Sequence, residues 1–436
     1  MPTSHSQPPT ANLVQVVALT VLLGMAAPLS GQAPSGEREQ PPTSDTPGSE
    51  LRVWLVTAEP GDAVWEHYGH NAIRVLNTET GRDVSYNWGI FDFDQDDFIP
   101  RFLQGRMLYM MAPFQTQAMI DAYAGANREV VLQELGLTPS QRLALRDFAE
   151  RNALPDNRDY IYHYFLDNCS TRIRDLLDLV LGGALRSRFE GAPSGTTYRY
   201  HTRRLTRIDP LVFTGLDLLL GTAADEAISV WGEMFLPMTL RDRIRDVVVT
   251  GQNGEQRPLV LAEEVVAASS RPETPTTPPS WLPIYLLLGS ALGAALAAGR
   301  ARRVRASTVL RRSATAIGIV WSAGGGLIGM LLVLLLLTDH AFAHWNENLF
   351  LFNPLMLGTA LLLPLSSGGG PWSTRARAWA VVTAGIALAG LVWQLAPASD
   401  HRNATFFVLA LPAHVGLAYA LSGINAPAGG AAPEIP

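Results

Sequence analysis

The chain has no lysine: every one of its 33 basic residues is arginine. That excludes chemistry built on a lysine amine, such as the lysine of a Walker loop, a Schiff base or a Ser–Lys dyad. Cysteine is almost as scarce, with Cys169 alone among 436 residues. A single thiol makes no intramolecular disulfide and no multi-cysteine metal site. At position 169 it also leaves no lipidation cysteine near the amino terminus, so the protein is not expected to be a lipoprotein itself. Charge is thin, at 17% of residues against roughly 25% in an average soluble protein. It is also uneven, because only 13 of the 72 charged residues lie in the 156 residues from Trp281 onward. The first 280 residues carry 24 Arg against 35 Asp and Glu, a balance that argues against nucleic acid as a partner. A simple soluble enzyme is excluded.

What is present divides the chain in order. Leu13 to Pro28 form a short apolar run that ends in small residues up to Ala33, so 1–33 reads as a signal peptide or, lacking basic residues in front, an N-terminal anchor. Residues 34–50 are Pro/Ser/Glu-rich and read as a disordered linker. From 51 to 266 the pattern is that of a globular α+β domain. LRVWLVTA (51–58), HNAIRVLN (70–77) and VSYNWGIFDF (84–93) read as strands. Thr138-Pro139-Ser140-Gln141 opens a helix that runs to about Arg151. A second helix opens near Cys169 and ends on glycines. Residues 267–280 form a Pro/Thr-rich linker, and 423–436 a disordered tail.

Between them, 281–422 holds five apolar stretches, 281–299, 315–337, 349–365, 378–396 and 404–421, each near the ~20 residues that cross a bilayer. The loop after the first stretch carries six arginines and the loop after the third carries Arg375 and Arg377, whereas the alternate loops hold only Arg402. The positive-inside bias then puts the arginine loops in the cytoplasm and the front domain outside. An all-α transmembrane domain of five helices is the expectation.

Cys169 follows Asp167-Asn168 at the expected helix start, where free backbone N–H groups and the helix dipole favour a thiolate. A lone cysteine is more often a small buried core residue. Its partner as a nucleophile would be a histidine, and among nine His70 stands out, after Gly69 at the start of a strand. His67, three residues earlier, makes only a weak metal signal without a third ligand. On neighbouring-strand geometry Asn87 is favoured to orient the imidazole, with Tyr86 and Asp92 as rivals. Asn168 is either an oxyanion donor or a helix cap. Arg172 and Arg174 read as salt-bridge residues before phosphate ligands. Within the membrane part, His340, His344, Asn346 and Asn353 form a polar cluster on the same side as Cys169. Polar groups there are costly and often functional, although an ordinary interfacial loop is an equal reading.

The segments GHNAIRV (69–75), SYNWGIFDF (85–93), DNCSTRIRDLL (167–177) and MFLP (234–237) together resemble the Lnb N-terminal periplasmic domain family. That family belongs among circularly permuted papain-like, lecithin–retinol-acyltransferase-like cysteine enzymes, and its namesake is a lipoprotein N-acyltransferase, or lipoprotein intramolecular transacylase. The resemblance covers roughly 51–250 plus the membrane part. It implies an α+β, permuted papain-like extracytoplasmic domain followed by the transmembrane bundle, with Cys169 as nucleophile and His70 as general base and acid. It implies a thiol acyltransferase that moves an acyl chain from a lipid ester to an amine, N-acylating lipoproteins to the lyso form. Membrane lipids and diacylated lipoproteins are then the partners, with no nucleic acid and no nucleotide. No cofactor and no metal are expected, and the bacterial inner membrane is the expected location. The alternatives are a papain-like hydrolase (a lipid esterase or a peptidoglycan amidase) and a non-catalytic sensor domain.

Overall fold

A computed structural model describes residues 46–422 apart from 252, 369–370, 397–398 and 400. The expected signal segment, most of the first linker and the expected tail lie outside the described residues.

The front of the chain builds one seven-stranded antiparallel sheet. Its strands are β1 (Leu51–Ala58), β2 (His70–Asn77), β3 (Asp83–Ile90), β4 (Leu108–Gln115), β5 (Val130–Leu135), β6 (Asp159–Ile161) and β7 (Val260–Ala267), in the order β7-β5-β1-β2-β3-β4-β6. The first four strands form a meander, and β5 then returns to pair on the free side of β1. Both faces of the central strands are covered, which is why β1 reads as a nearly unbroken apolar run rather than an alternating one. On one face Val53, Leu55, Ile73, Val75, Tyr86 and Trp88 pack with helices α3 (Pro139–Asn152) and α4 (Cys169–Val180). On the other, Trp54, Val56, Ala58 and Ala72 pack with Met119 and Ile120 of helix α2 (Thr116–Gly125). A shorter helix, α1 (Phe98–Gln104), precedes β4.

Local sequence explains the helix starts. Thr138 accepts from the Gln141 N–H while the Gln141 side chain returns to the Thr138 N–H, a reciprocal cap with Pro139 in the first turn. The third strand is shorter than its aromatic pattern predicts and stops at Ile90. Its register slips between Asn87 and Ile90, with Gly89 at φ +88°, a bulge that a strand glycine permits. The Pro/Thr-rich segment after β7 is pinned rather than loose: Ser269 and Arg271 bond the Asn127 carbonyl, and Tyr200 and Arg204 donate to the carbonyls of Thr276 and Pro275.

Where five spans are expected, four helices among the described residues have the length and apolar character. Leu282–Arg300, Thr308–Leu335, Pro371–Trp393 and Ala404–Ser422 are long and apolar enough to cross a membrane. The stretch at 349–365 instead holds a seven-residue helix, Met356–Leu362, between short 3-10 turns. Asn353-Pro354 interrupts it, because proline removes an N–H and disfavours helix in the residue before it. Close approaches still give it a direction. Gly329 lies against Asn353, Gly326 against Leu357 and Gly318 against Leu363, so the broken segment runs antiparallel to the second long helix.

Candidate active site

Cys169 is the first residue of α4, and Asn168 caps it. The Asn168 Oδ1 accepts from the N–H groups of Ser170 and Thr171, both at 2.9 Å, and its Nδ2 donates to the carbonyls of Tyr164 and Phe235, both at 3.0 Å. The side-chain amide is fully committed. Of the two expected roles for Asn168, the cap is the one its bonds support.

The backbone N–H groups of Asn71, Ser170 and Cys169 itself act on the Cys169 sulfur and favour its charged form, as does Arg128. Burial outweighs them and pushes the thiol above its ordinary pKa. Burial thus opposes the help that the helix start gives to the charged form. Gly89 is what leaves room: a Cβ there would sit 3.6 Å from the Cys169 Cβ and 3.8 Å from its backbone nitrogen.

His70 opens β2 after Gly69, whose φ of +78° and tight approach to Met238 and the Ala58 carbonyl admit only glycine. The His70 Nε2 lies 3.0 Å from the Asn87 Oδ1, across the β2–β3 pair. Asn87 is buried, and its Nδ2 donates to the Ser85 carbonyl at 3.0 Å. Its oxygen is thus the atom that faces the ring. An amide oxygen only accepts, so His70 carries its proton on Nε2 and presents Nδ1 as the basic nitrogen. Burial first, and then Arg128, lower the imidazole pKa to about 4, against the opposing bond to Asn87.

His70 and Cys169 share their surroundings. Arg128 acts on both, Asn71 follows His70 directly and offers its N–H to the sulfur, and Tyr123 has its ring 6.2 Å from His70 while feeling the charge of Cys169. Tyr160 and Tyr162 feel that charge as well, and burial raises both phenols well above their usual range, so their hydroxyls stay protonated.

The remaining expected residues stand elsewhere. Tyr86 points into the opposite face of the sheet and reaches Glu150 with its hydroxyl at 3.3 Å. Asp92 is exposed and closes a turn by accepting from the Asp94 N–H. Neither is placed to hold the imidazole as Asn87 does. Arg172 pairs with Asp167 at 2.5 Å and covers the Tyr160 ring, and buried Arg174 bonds the Trp231 carbonyl and Asp175. His67 reaches the Asp62 carbonyl. Among the described residues no group of three or more His, Cys, Asp or Glu side chains is arranged to hold a metal ion.

The polar cluster of the membrane part is dispersed. His340 bonds the Phe102 carbonyl, His344 the Thr338 carbonyl, and Asn346 the carbonyls of Leu218, Leu219 and Leu220. Asn353 sits in the broken segment with both amide atoms buried and without a partner. His340 and Asn346 thus tie the front domain to the bundle, and the four residues do not form one site. Sequence reasoning passed over Asn71, Arg128, Gly89 and Tyr162. The glycine inside a strand pattern was the one available signal; the others come near the sulfur only through the fold.

The chain is thus a membrane protein with an extracytoplasmic α/β domain that carries a helix-borne cysteine and an asparagine-held histidine. Residues 37–204 match the model of the family described as the Lnb N-terminal periplasmic domain, so this part of the chain is similar to that family. Neither a curated protein nor a solved structure matches the chain.

Proposed function

We propose that the protein is a cysteine acyltransferase of permuted papain-like fold, which moves an acyl chain from a lipid ester to an amine at the outer face of the bacterial inner membrane. The bond between His70 Nε2 and Asn87 Oδ1 carries this reading. It leaves Nδ1 free to take a proton, among groups (Arg128 and Tyr123) that also act on or feel the thiol at the helix start. The lipoprotein-processing character of the family supports the choice of substrate.

His70 Nδ1 removes the Cys169 proton as the sulfur attacks the ester carbonyl. The oxyanion forms beside the backbone N–H of Cys169, in the space that Gly89 leaves open and the Tyr162 ring borders. Collapse breaks the C–O bond, and the alcohol leaves with the proton from His70. A thioester and a lyso-lipid remain. The amine then attacks the thioester and gives a proton to His70, and the C–S bond breaks to return the thiol and an amide. A diacylated lipoprotein supplies both ester and amine. If water replaces the amine, the same dyad is a lipid esterase.

The test compares lipoprotein N-terminal peptides by mass spectrometry from cells with intact protein and with Cys169→Ser. The N-acyl lyso form is expected only with the intact protein. The same form in both strains would refute transfer, and free fatty acid without N-acylation would assign hydrolysis instead.

A further inference from the structure

Helix α1 has three large apolar side chains on one face, Ile99, Phe102 and Leu103, at the i, i+3, i+4 spacing of a helical stripe. All three are exposed, Ile99 at 62% and Leu103 at 60%. Such a face is normally buried against something. What lies next to its C-terminal end is the bundle. The Gln104 carbonyl accepts from the Asp339 N–H at 2.8 Å, Arg106 pairs with Asp339 at 2.5 Å, and His340 bonds the Phe102 carbonyl. Asp339 follows the end of the second long membrane-crossing helix, Thr308–Leu335, by four residues. The stripe is therefore continuous with the outer end of a span, at the level where a bilayer's interfacial region begins. Trp345, 81% exposed on the same outer loop, is a side chain that favours that level.

The stripe also leads inward. Ring follows ring from Phe102 to Phe98 (6.4 Å between centroids), Phe91 (6.5 Å), Tyr109 (5.0 Å) and Tyr162 (4.2 Å), and Tyr162 borders Cys169. We propose that α1 lies in the outer leaflet of the membrane with Ile99, Phe102 and Leu103 among the acyl chains, so that the candidate site opens to lipid along this file of rings. The insertion stands on the exposed stripe and its attachment alone. The use of the file by an acyl substrate rests on the proposed acyl transfer.

The single native cysteine makes the test direct. In full-length Cys169→Ser protein, Ile99→Cys, Leu103→Cys and, as an exposed control on the β2–β3 turn, Glu79→Cys are spin-labelled one at a time. They are reconstituted in vesicles of phosphatidylethanolamine and phosphatidylglycerol, and collision with oxygen is compared with collision with aqueous nickel chelate. Labels at 99 and 103 are expected to favour oxygen several-fold over the label at 79. Equal values at all three positions would overturn the insertion, whatever the enzyme's reaction. For the path, Ile99→Asp with Leu103→Asp is expected to slow acyl transfer from vesicle lipid at least tenfold, with iodoacetamide labelling of Cys169 unchanged. Undiminished transfer would overturn the path.

Discussion

At the scale of the residue, burial withholds charge from the candidate site. Burial holds the Cys169 thiol up and, with Arg128, holds His70 down to about 4. Near neutrality the resting pair is therefore a thiol and a neutral imidazole, not an ion pair. This sets a pH dependence. Iodoacetamide labelling of Cys169 is expected to climb steadily from pH 6 to 9, without the acid-side plateau that a preformed thiolate–imidazolium pair gives. A plateau below pH 6 would contradict the assignment. The sign for stability follows from the same shift. Unfolded histidine takes a proton near 6.5, whereas folded His70 resists until about 4. Its contribution is present above 6.5 and is lost as the pH falls through that window. His70→Ala is expected to flatten this part of the melting-temperature curve, and an unchanged curve would remove the shift.

At the scale of the element, glycines decide where backbones approach. In the first and last long helices, a Cβ on Gly289 would lie 2.2 Å from the Val408 carbonyl oxygen, and one on Gly293 2.5 Å from that of Pro412. The GxxxG spacing is readable in the sequence as a packing face, and the structure supplies its partner. Gly293→Leu is expected to cost at least 1–3 kcal/mol by overpacking, read as a lower melting temperature in detergent; an unchanged melting temperature would refute the tight seam. The strands β1 and β2 and the starts of α3 and α4 were legible residue for residue, because apolar runs and caps are local signals. The partner of His70 was legible as one of three candidates. Strand alternation then separates Asn87, on the face of His70, from Tyr86, on the other. The broken third span was not legible from hydropathy, which responds to side chains and not to the backbone change that Asn353-Pro354 imposes. The burial around Cys169 was not legible for a related reason: a helix start is visible in sequence, and the packing that opposes it is not.

At the scale of the whole molecule, the front domain is locked onto the bundle by polar groups withdrawn from water. Arg199, 1% exposed, pairs with Asp217 and Asp225 at 2.9 Å each and bonds the carbonyls of Leu220 and Gly221. Its Nη2 lies 2.8 Å from His401, which precedes the last long helix, and the His401 Nδ1 lies 3.1 Å from the Glu347 nitrogen. Glu347 in turn accepts from Trp393, Gln394 and Ser399. Phe342, from the bundle's outer loop, packs among Phe165, Tyr198 and Phe235 beside the segment that leads to Cys169. Breaking a buried pair leaves an uncompensated charge, at about 3–5 kcal/mol. Arg199→Ala is therefore expected to lower the melting temperature sharply and to expose the 267–280 segment to protease. A surface arginine such as Arg188 replaced by alanine should do neither. Equal effects of the two substitutions would deny the lock.

The account turns on a covalent acyl group carried by one sulfur. Intact-mass analysis of the full-length protein, quenched in acid during incubation with diacylated lipoprotein vesicles, measures it. The expected result is a gain of one fatty-acyl mass, located on the Cys169 peptide, removed by neutral hydroxylamine and absent in Cys169→Ser. Acyl transfer that proceeds with no such adduct, or that persists in Cys169→Ser, would contradict the account.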